Sequence, residues 1–337
     1  MLEKPDIKDE EIADCLHAAY GLSVKNLGFL PLGADLNTAV YRVVATDETA
    51  YFLKFRRGEF NEAAVTVPNY LSDLGVNQII RSLTTQSGQP WTSLKPYTVI
   101  LYPYVEGQNG FERALSDQQW VEFGVALKKF HTADIPSGIT DSIAQDKFSP
   151  RWRETARLFL TRMEEQAFVE PVAVQMAAFL RVKRDETLAL IQRAERFAQM
   201  LMQQPPAFIL CHADIHAWNL LLDDKGAFYI VDWDTLIFAP KERDLMFVGG
   251  GLGGYGHSPQ QEEALFYAGY GQTQIDPVAM AYYRYERIVE DIAVCCEQVF
   301  LSDDGGEDRR QALKYLKSNY APNGTIAMAS QSDKTHL

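Results

Sequence analysis

Residues 208–234 alternate between short apolar runs and polar turns, inside a stretch whose other apolar residues recur at helical spacing. This embedded β-rich island constrains the fold more than any other feature. Phe208-Ile209-Leu210-Cys211 reads as a buried strand, His212 to Trp218 as a polar turn, and Asn219 to Leu222 as apolar again. Asp224-Lys225-Gly226 is a turn signal, and the strand Ala227 to Val231 leads into Asp232-Trp233-Asp234. A turn centred between Lys225 and Gly226 sets Asn219 opposite Asp232, and Asp214 enters the same end of the hairpin. Two carboxylates and an amide oxygen converging there suit a hard divalent cation, with one carboxylate left over to accept a proton.

The flanking sequence supplies the rest of an α+β fold. After an amphipathic helix carrying Ile12, Leu16, Ala19 and Tyr20, the segments 24–32, 39–45 and 51–55 read as an antiparallel meander. A helix over 59–74 ends at Gly75, and further strands are expected over 79–83 and 98–104. From Ser116 the period changes: Ser116-Asp117-Gln118-Gln119 resembles a capping box, and Trp120, Phe123, Leu127 and Phe130 follow at helical spacing. Helices are predicted over 151–163, 170–202, 260–270 and 276–300. The chain therefore divides into an N-terminal lobe, 1–105, a mainly helical C-terminal lobe, 106–323, and a polar, frayed tail, 324–337.

Composition excludes several classes of partner. The 337 residues are 47% hydrophobic, enough for a large core, and the net charge of −13 opposes nucleic acid and anionic membranes. Cationic or small-molecule partners fit better. The cysteines, Cys15, Cys211, Cys295 and Cys296, form no C-x-x-C pair, which argues against a zinc site or a disulfide framework. The acidic start lacks the order of a signal peptide, and no apolar run approaches a membrane span. A cytoplasmic monomer is expected.

His212-Ala213-Asp214-Ile215-His216-Ala217-Trp218-Asn219 resembles the H-x-D-x-x-x-x-N catalytic loop of kinases, and Asp232-Trp233-Asp234 stands where kinases carry Asp-Phe-Gly. Together they resemble the aminoglycoside phosphotransferase family. The stretches 239–246 and 283–292 look like its spectinomycin-phosphorylating branch. The resemblance implies a bilobal protein-kinase-like fold, with a small antiparallel-sheet N-lobe and a mainly helical C-lobe. It implies ATP and Mg²⁺ as cofactors, GTP not being excluded, and a small cationic antibiotic as acceptor. Asp214 would orient the acceptor hydroxyl and take its proton, while Asn219 and Asp232 would hold Mg²⁺.

Upstream, Lys54 in Tyr51-Phe52-Leu53-Lys54-Phe55 matches the phosphate-binding lysine, with Glu62 its expected partner and Glu59 the second candidate. The phosphate-covering loop, residues 32–38, holds a single glycine, Gly33, rather than G-x-G-x-x-G. Pro103-Tyr104-Val105 falls at the adenine-binding hinge, where the carbonyl of Pro103 and the N–H of Val105 would serve the base. Asp234 is expected to extend an acidic acceptor surface or to approach a second Mg²⁺. Glu286 and Glu290, spaced i, i+4, would face a bound dication; the competing account is a salt-bridged surface with Arg287 on Asp291 and Arg284 near Glu286. Glu242, Arg243 and Asp244 are expected to brace the segment after Asp234 through internal ion pairs. Trp218 and Tyr255 read as core packing, with apolar walls for a sugar or cyclitol face the alternative; Cys211 and His212 read as packing residues, and the glycines of 249–254 as a pliant or closely packed turn. A related small-molecule kinase and a nucleotide-binding pseudokinase are the alternatives; intact Lys54, Asp214, Asn219 and Asp232 argue against the second.

Overall fold

The computed structural model describes residues 3–33, 35–253, 256–302, 306–322 and 324–333. In chain order the elements open with α1 (Asp9–Tyr20), β1 (Val24–Leu30), β2 (Thr38–Ala45), β3 (Ala50–Arg57) and α2 (Ala63–Asp73). There follow β4 (Thr92–Leu94), β5 (Tyr97–Pro103), β6 (Gly107–Asn109), α3 (Asp117–His131) and α4 (Ser137–Thr140). Next come α5 (Arg151–Glu165), α6 (Pro171–Val182), α7 (Arg184–Gln203), β7 (Ile209–Cys211), β8 (Leu220–Asp223) and β9 (Phe228–Ile230). The chain closes with β10 (Ile237–Ala239), α8 (Glu242–Leu245), α9 (Pro259–Tyr270), α10 (Pro277–Phe300), α11 (Gly306–Asn319) and α12 (Thr325–Asp333). These elements form two compact units that interleave in sequence. The first takes Met1–Ala144, His212–Leu236 and Leu252–Gln272, and the second takes Gln145–Cys211, Ile237–Gly251 and Thr273–Leu337.

In the first unit, five antiparallel strands run in the order β1-β2-β3-β5-β4. Strand alternation gives the sheet two chemically different faces. Tyr41, Val43, Leu53, Phe55, Val99 and Leu101 point to one side, where they pack with Ile12 and Leu16 of α1 in a single core. The opposite side carries Val40, Phe52, Lys54, Ile100 and Tyr102, because Lys54 pairs with Val40 on one neighbour and Ile100 on the other. The capping box expected at Ser116 starts α3. That helix meets α9 closely: an added Cβ at Gly124 would lie 2.1 Å from the carbonyl oxygen of Phe266, and one at Gly269 only 1.8 Å from that of Val121. In the second unit, α10 is the central helix, burying Tyr285, Ile288, Val289, Ile292 and Cys296 and packing against α5, α7, α11 and α12.

Several expected elements differ. Residues 79–83 form only an isolated bridge, Ile79 to Ile230. Their backbone groups are spent elsewhere: the N–H of Ser82 donates to Asn69 Oδ1 of α2 at 3.0 Å, and Leu83 meets Leu101 alone. Helix 59–74 begins four residues later than expected, at Ala63. The single helix expected over 170–202 is two, broken at Lys183, which serves as C-cap of α6 and N-cap of α7. Residues 325–333 of the expected frayed tail form α12. The helix is held because Ala329 is fully buried and the Asp333 carboxylate accepts from Arg193 at 2.6 Å and from the Tyr285 hydroxyl at 3.2 Å.

Leu53→Ala should lower the stability of the first unit by about 3 kcal/mol through the cavity left in its core. A chemical denaturation midpoint indistinguishable from that of the parent chain would contradict the packing described.

Candidate active site

The hairpin β8–β9 pairs Leu220 with Ile230 and Leu222 with Phe228, so its turn centres on Lys225 itself. The loop is three residues long, and Gly226 supplies the left-handed conformation, at φ 94°, that such a turn needs. Asp223 braces it by accepting from the N–H groups of Lys225 and Ala227 at 2.9 and 2.8 Å. This moves the expected register by one. Asn219 faces Val231, whose N–H donates to its carbonyl at 3.0 Å, and Asp232 lies one residue beyond. A one-residue offset points a strand side chain to the wrong face. At Asp232 the backbone leaves the extended region for φ 63°, and the carboxylate reaches Lys54 Nζ at 2.8 Å.

Asp214 is fixed from several sides. Asn219 Nδ2 donates to its carbonyl at 2.7 Å and to Oδ2 at 3.3 Å, and His216 Nε2 lies 3.4 Å from Oδ1. His212, fully buried, accepts the Asp214 N–H at Nδ1 (3.3 Å), so the ring proton sits on Nε2 and is donated to the Val231 carbonyl at 3.1 Å. The expected packing role for His212 thus includes a hydrogen-bonded tie between the loop and the hairpin. Its ring also contacts Trp233 at 4.8 Å between centroids, and Trp233 in turn packs on Phe130. Cys211, in the second unit, is buried as expected. Trp218 is not core: it is 46% exposed, its ring 5.2 Å from that of Phe111. Tyr255 and Gly254 lie outside the described residues.

Lys54 is 8% exposed and bonded to two carboxylates, Asp232 Oδ1 and Asp234 Oδ2, both at 2.8 Å. Burial alone would favour the neutral amine, but the two acids outweigh it and hold the lysine pKa above its ordinary value. The reciprocal effect of Lys54 keeps Asp232 below the usual carboxylate range, against the nearby charge of Asp214. The expected partner Glu62 does not pair with Lys54. It precedes α2 as an exposed residue and shares a surface groove with Glu59. Asp234, expected on an acceptor surface, is the second partner of Lys54 instead. Arg56 extends the cluster, with Nη1 3.7 Å from Asp234 Oδ2, 3.0 Å from Thr38 Oγ1 and bonded to Asp35. Strand alternation placed Arg56 on the Lys54 face, a signal that sequence reasoning passed over; Asp35 carried none beyond its place in the loop. Gly33 adopts φ 82° and is exposed, with open space where a Cβ would stand.

At the end of β5 the Tyr104 N–H donates to the Ala50 carbonyl at 3.2 Å, which makes Tyr51 and Pro103 a non-hydrogen-bonded pair. The missing N–H of Pro103 costs no ladder bond there, and its carbonyl points away from β3. Val105 lies beyond the end of β5. Tyr104 is covered by the Arg42 guanidinium, 4.9 Å from the ring centroid, and Arg42 pairs with Glu106.

In the second unit, Glu286 and Glu290 lie on α10, each engaged by an arginine from another segment. Glu286 is 5% exposed and accepts from Arg153 of α5, whose other Nη donates to the carbonyls of Phe148 and Ser149. Burial pushes the Glu286 carboxyl up, against the opposing pull of Arg153. A carboxylate enclosed in this way does not face an acceptor, contrary to the expectation for Glu286. Glu290, partly exposed, lies 3.5 Å from Arg243. Of the expected surface pairs, Arg287 meets Asp291 at 2.9 Å, whereas Arg284 donates to the carbonyls of Met246 and Val248. The bracing expected of residues 242–244 takes the form of Arg243 on Glu290 and buried Glu242, which binds Lys241 and the N–H of Asp276.

Asp214, Asn219, Asp232 and Lys54 thus meet where one hairpin reaches one antiparallel sheet, within an α+β fold of the kinase-like class. Residues 28–285 match the model of the phosphotransferase enzyme family, and the chain belongs to that family. Its members transfer phosphoryl groups to hydroxyls, and this chain is such an enzyme. Among solved structures it is similar to the spectinomycin phosphotransferase APH(9)-Ia in complex with ADP and spectinomycin, at 31% identity and TM-score 0.90, over 98% of this chain and 100% of that one. The AMP complex of that enzyme aligns at 30% identity and TM-score 0.85, covering 96% and 98%. An amicoumacin kinase with AMP-PNP and Ca²⁺ shares the fold at 13% identity and TM-score 0.61, covering 94% and 95%. No curated protein sequence matches the chain. Among the described residues, no helix is long and apolar enough to cross a membrane.

Arg153→Met leaves Glu286 buried without its cation and should cost about 3 kcal/mol near neutral pH. The cost should grow with pH: a carboxyl whose folded pKa lies above its unfolded value favours the fold at low pH and loses that contribution as pH rises through the folded value. Denaturation of the variant at pH 6 and pH 8 measures this, and equal losses at both would contradict the buried-acid account.

Proposed function

We propose that the chain transfers the γ-phosphoryl group of ATP, with GTP the alternative donor, to a hydroxyl of a cationic aminocyclitol or aminoglycoside antibiotic, spectinomycin first among them. The observation that carries this is the convergence of Asp214, Asn219, Asp232 and Lys54. The choice of spectinomycin rests on the near-complete alignment with an enzyme crystallised with that drug. Asp214 orients the acceptor hydroxyl and receives its proton as the oxygen attacks the γ-phosphorus and the bond to the ADP oxygen breaks. The hydrogen bonds from Asn219 and the proximity of His216 hold that carboxylate in one orientation. Lys54 binds the α- and β-phosphates, Gly33 lets the β1–β2 loop approach them, and Pro103, Tyr104 and Val105 receive the base.

Oxygen donors fit Mg²⁺ here. Asn219 uses its Nδ2 on Asp214, which leaves Oδ1, and Asp232 uses Oδ1 on Lys54 while its side chain is 48% exposed, which leaves Oδ2. Mg²⁺ bound by these two residues would neutralise charge on the phosphate oxygens. Because the transition state is loose, alignment and charge supply most of the rate. The new phosphate dianion would oppose the drug's binding to anionic ribosomal RNA, and a cytoplasmic monomer suffices for the reaction.

ATP consumption should rise with spectinomycin in a panel that also holds several aminoglycosides, a macrolide and choline. Turnover with choline alone would move the enzyme to the amino-alcohol kinases, and no turnover with any acceptor would overturn the assignment. Asp214→Ala should cut kcat about a thousandfold and leave ATP affinity nearly intact. Asp232→Ala should weaken nucleotide binding in the presence of Mg²⁺, as read by calorimetry, and an unchanged affinity would remove Asp232 from the metal site.

A further inference from the structure

Asp232, Lys54, Asp234, Arg56 and Asp35 form a string of alternating charge, each cation bridging two carboxylates. Lys54 and Asp232 are used by the phosphoryl-transfer reading, but Arg56 and Asp35 are not. Arg56 follows Lys54 by two residues on β3 and so projects from the same face of the sheet. It binds the β1–β2 turn twice, at Asp35 and at Thr38 Oγ1. Asp35 organises that turn by accepting from the Asn37 N–H at 2.8 Å and from Thr38 Oγ1 at 3.0 Å. The Arg57 N–H adds a bond to the Asn37 carbonyl at 2.8 Å.

We propose that Arg56 is a positioning residue for the nucleoside triphosphate: it ties the Asp35–Thr38 turn to Asp234, and by sharing Asp234 it leaves Lys54 available to the phosphates. This deepens the phosphotransferase reading of the same site and rests on it. Asp234 Oδ2 receives Lys54 at 2.8 Å and Arg56 at 3.7 Å. Without Arg56, Asp234 depends on Lys54 alone, and phosphate must compete with it for the one ammonium. Asp35 also loses the Arg56 donor that ties its turn to β3. Both effects act on nucleotide affinity and neither touches proton transfer at Asp214. All three contacts run through Arg56 Nη1, so a lysine keeps the charge but, on its shorter stem, reproduces the arrangement only in part.

Steady-state kinetics of Arg56→Gln, Asp35→Asn, the double variant and Arg56→Lys test this, with spectinomycin as acceptor. Arg56→Gln should raise the KM for ATP about tenfold and leave kcat within about threefold, the loss expected when a charge-assisted contact is removed. Asp35→Asn should raise KM in the same direction, the double variant no further than Arg56→Gln, and Arg56→Lys should restore part of the loss. Additive effects, a fall in kcat at constant KM, or full rescue by lysine would overturn the proposal. If the parent chain turns over no acceptor, the kinase reading fails by itself. Hydrogen exchange of the Asn37 and Thr38 amides without nucleotide then decides the array: faster exchange in Arg56→Gln supports it, and unchanged exchange overturns it.

Discussion

Lys54 is buried, and a buried ammonium must be paired or give up its proton. Its partners come from the far end of the chain, Asp232 being 178 residues away. The first unit therefore has to deliver a strand and a hairpin to one point. β3 is the central strand of its sheet, flanked by β2 and β5, so the lysine side chain leaves a backbone held on both edges. The hairpin is held by Trp233, whose indole donates to the Ile230 carbonyl and packs between His212 and Phe130. Neither anchor touches a phosphate, yet the geometry of the ion pair depends on both.

The same region stores backbone strain. Ala213 and Asp232 are non-glycine residues at φ 69° and 63°, each costing about 1 kcal/mol or more. What sustains Ala213 is the set of bonds on either side of it: Thr235 Oγ1 donates to the His212 carbonyl at 2.7 Å, and Asn219 Nδ2 to the Asp214 carbonyl at 2.7 Å. Asp232 is sustained by Lys54. The residues that carry the proposed chemistry are thus also those that over-determine the strained turns, and Asn219 does both through its two ends.

What the sequence displayed well was periodicity and order. Strand alternation marked the meander, the capping box at Ser116 marked α3, and the run from His212 to Asp234 marked the hairpin with its oxygen-bearing end. What it hid was long-range choice among chemically equivalent groups. Glu62, Glu59, Asp232 and Asp234 all suit an ammonium, and composition cannot rank them; the fold ranks them by bringing the hairpin to β3. The register slipped by one because two-residue and three-residue turns share the same Asp-Lys-Gly signal, and only the pairing of Asp223 with Ala227 separates them. Residues 79–83 have the apolar content of a strand, but Asn69 takes the bond a ladder would need. The polar composition of 324–337 concealed that one alanine and one aspartate suffice to seat a short helix.

Arg153 with Glu286 and Lys54 with Asp232 are the same device put to different ends, and sequence alone cannot tell them apart. Each joins a basic residue to an acid distant in sequence, and in each the cation is buried. The difference lies in the carboxylate. Glu286 keeps 7% of its side chain exposed, whereas Asp232 keeps 48%. An acid sealed with its cation is closed to ligands and serves to hold segments together. An acid that shares one oxygen with the lysine and presents the other to solvent can take a metal ion without breaking the pair. Exposure of the anion, rather than strength of the ion pair, therefore separates the bracing pair from the pair proposed to bind metal and phosphate.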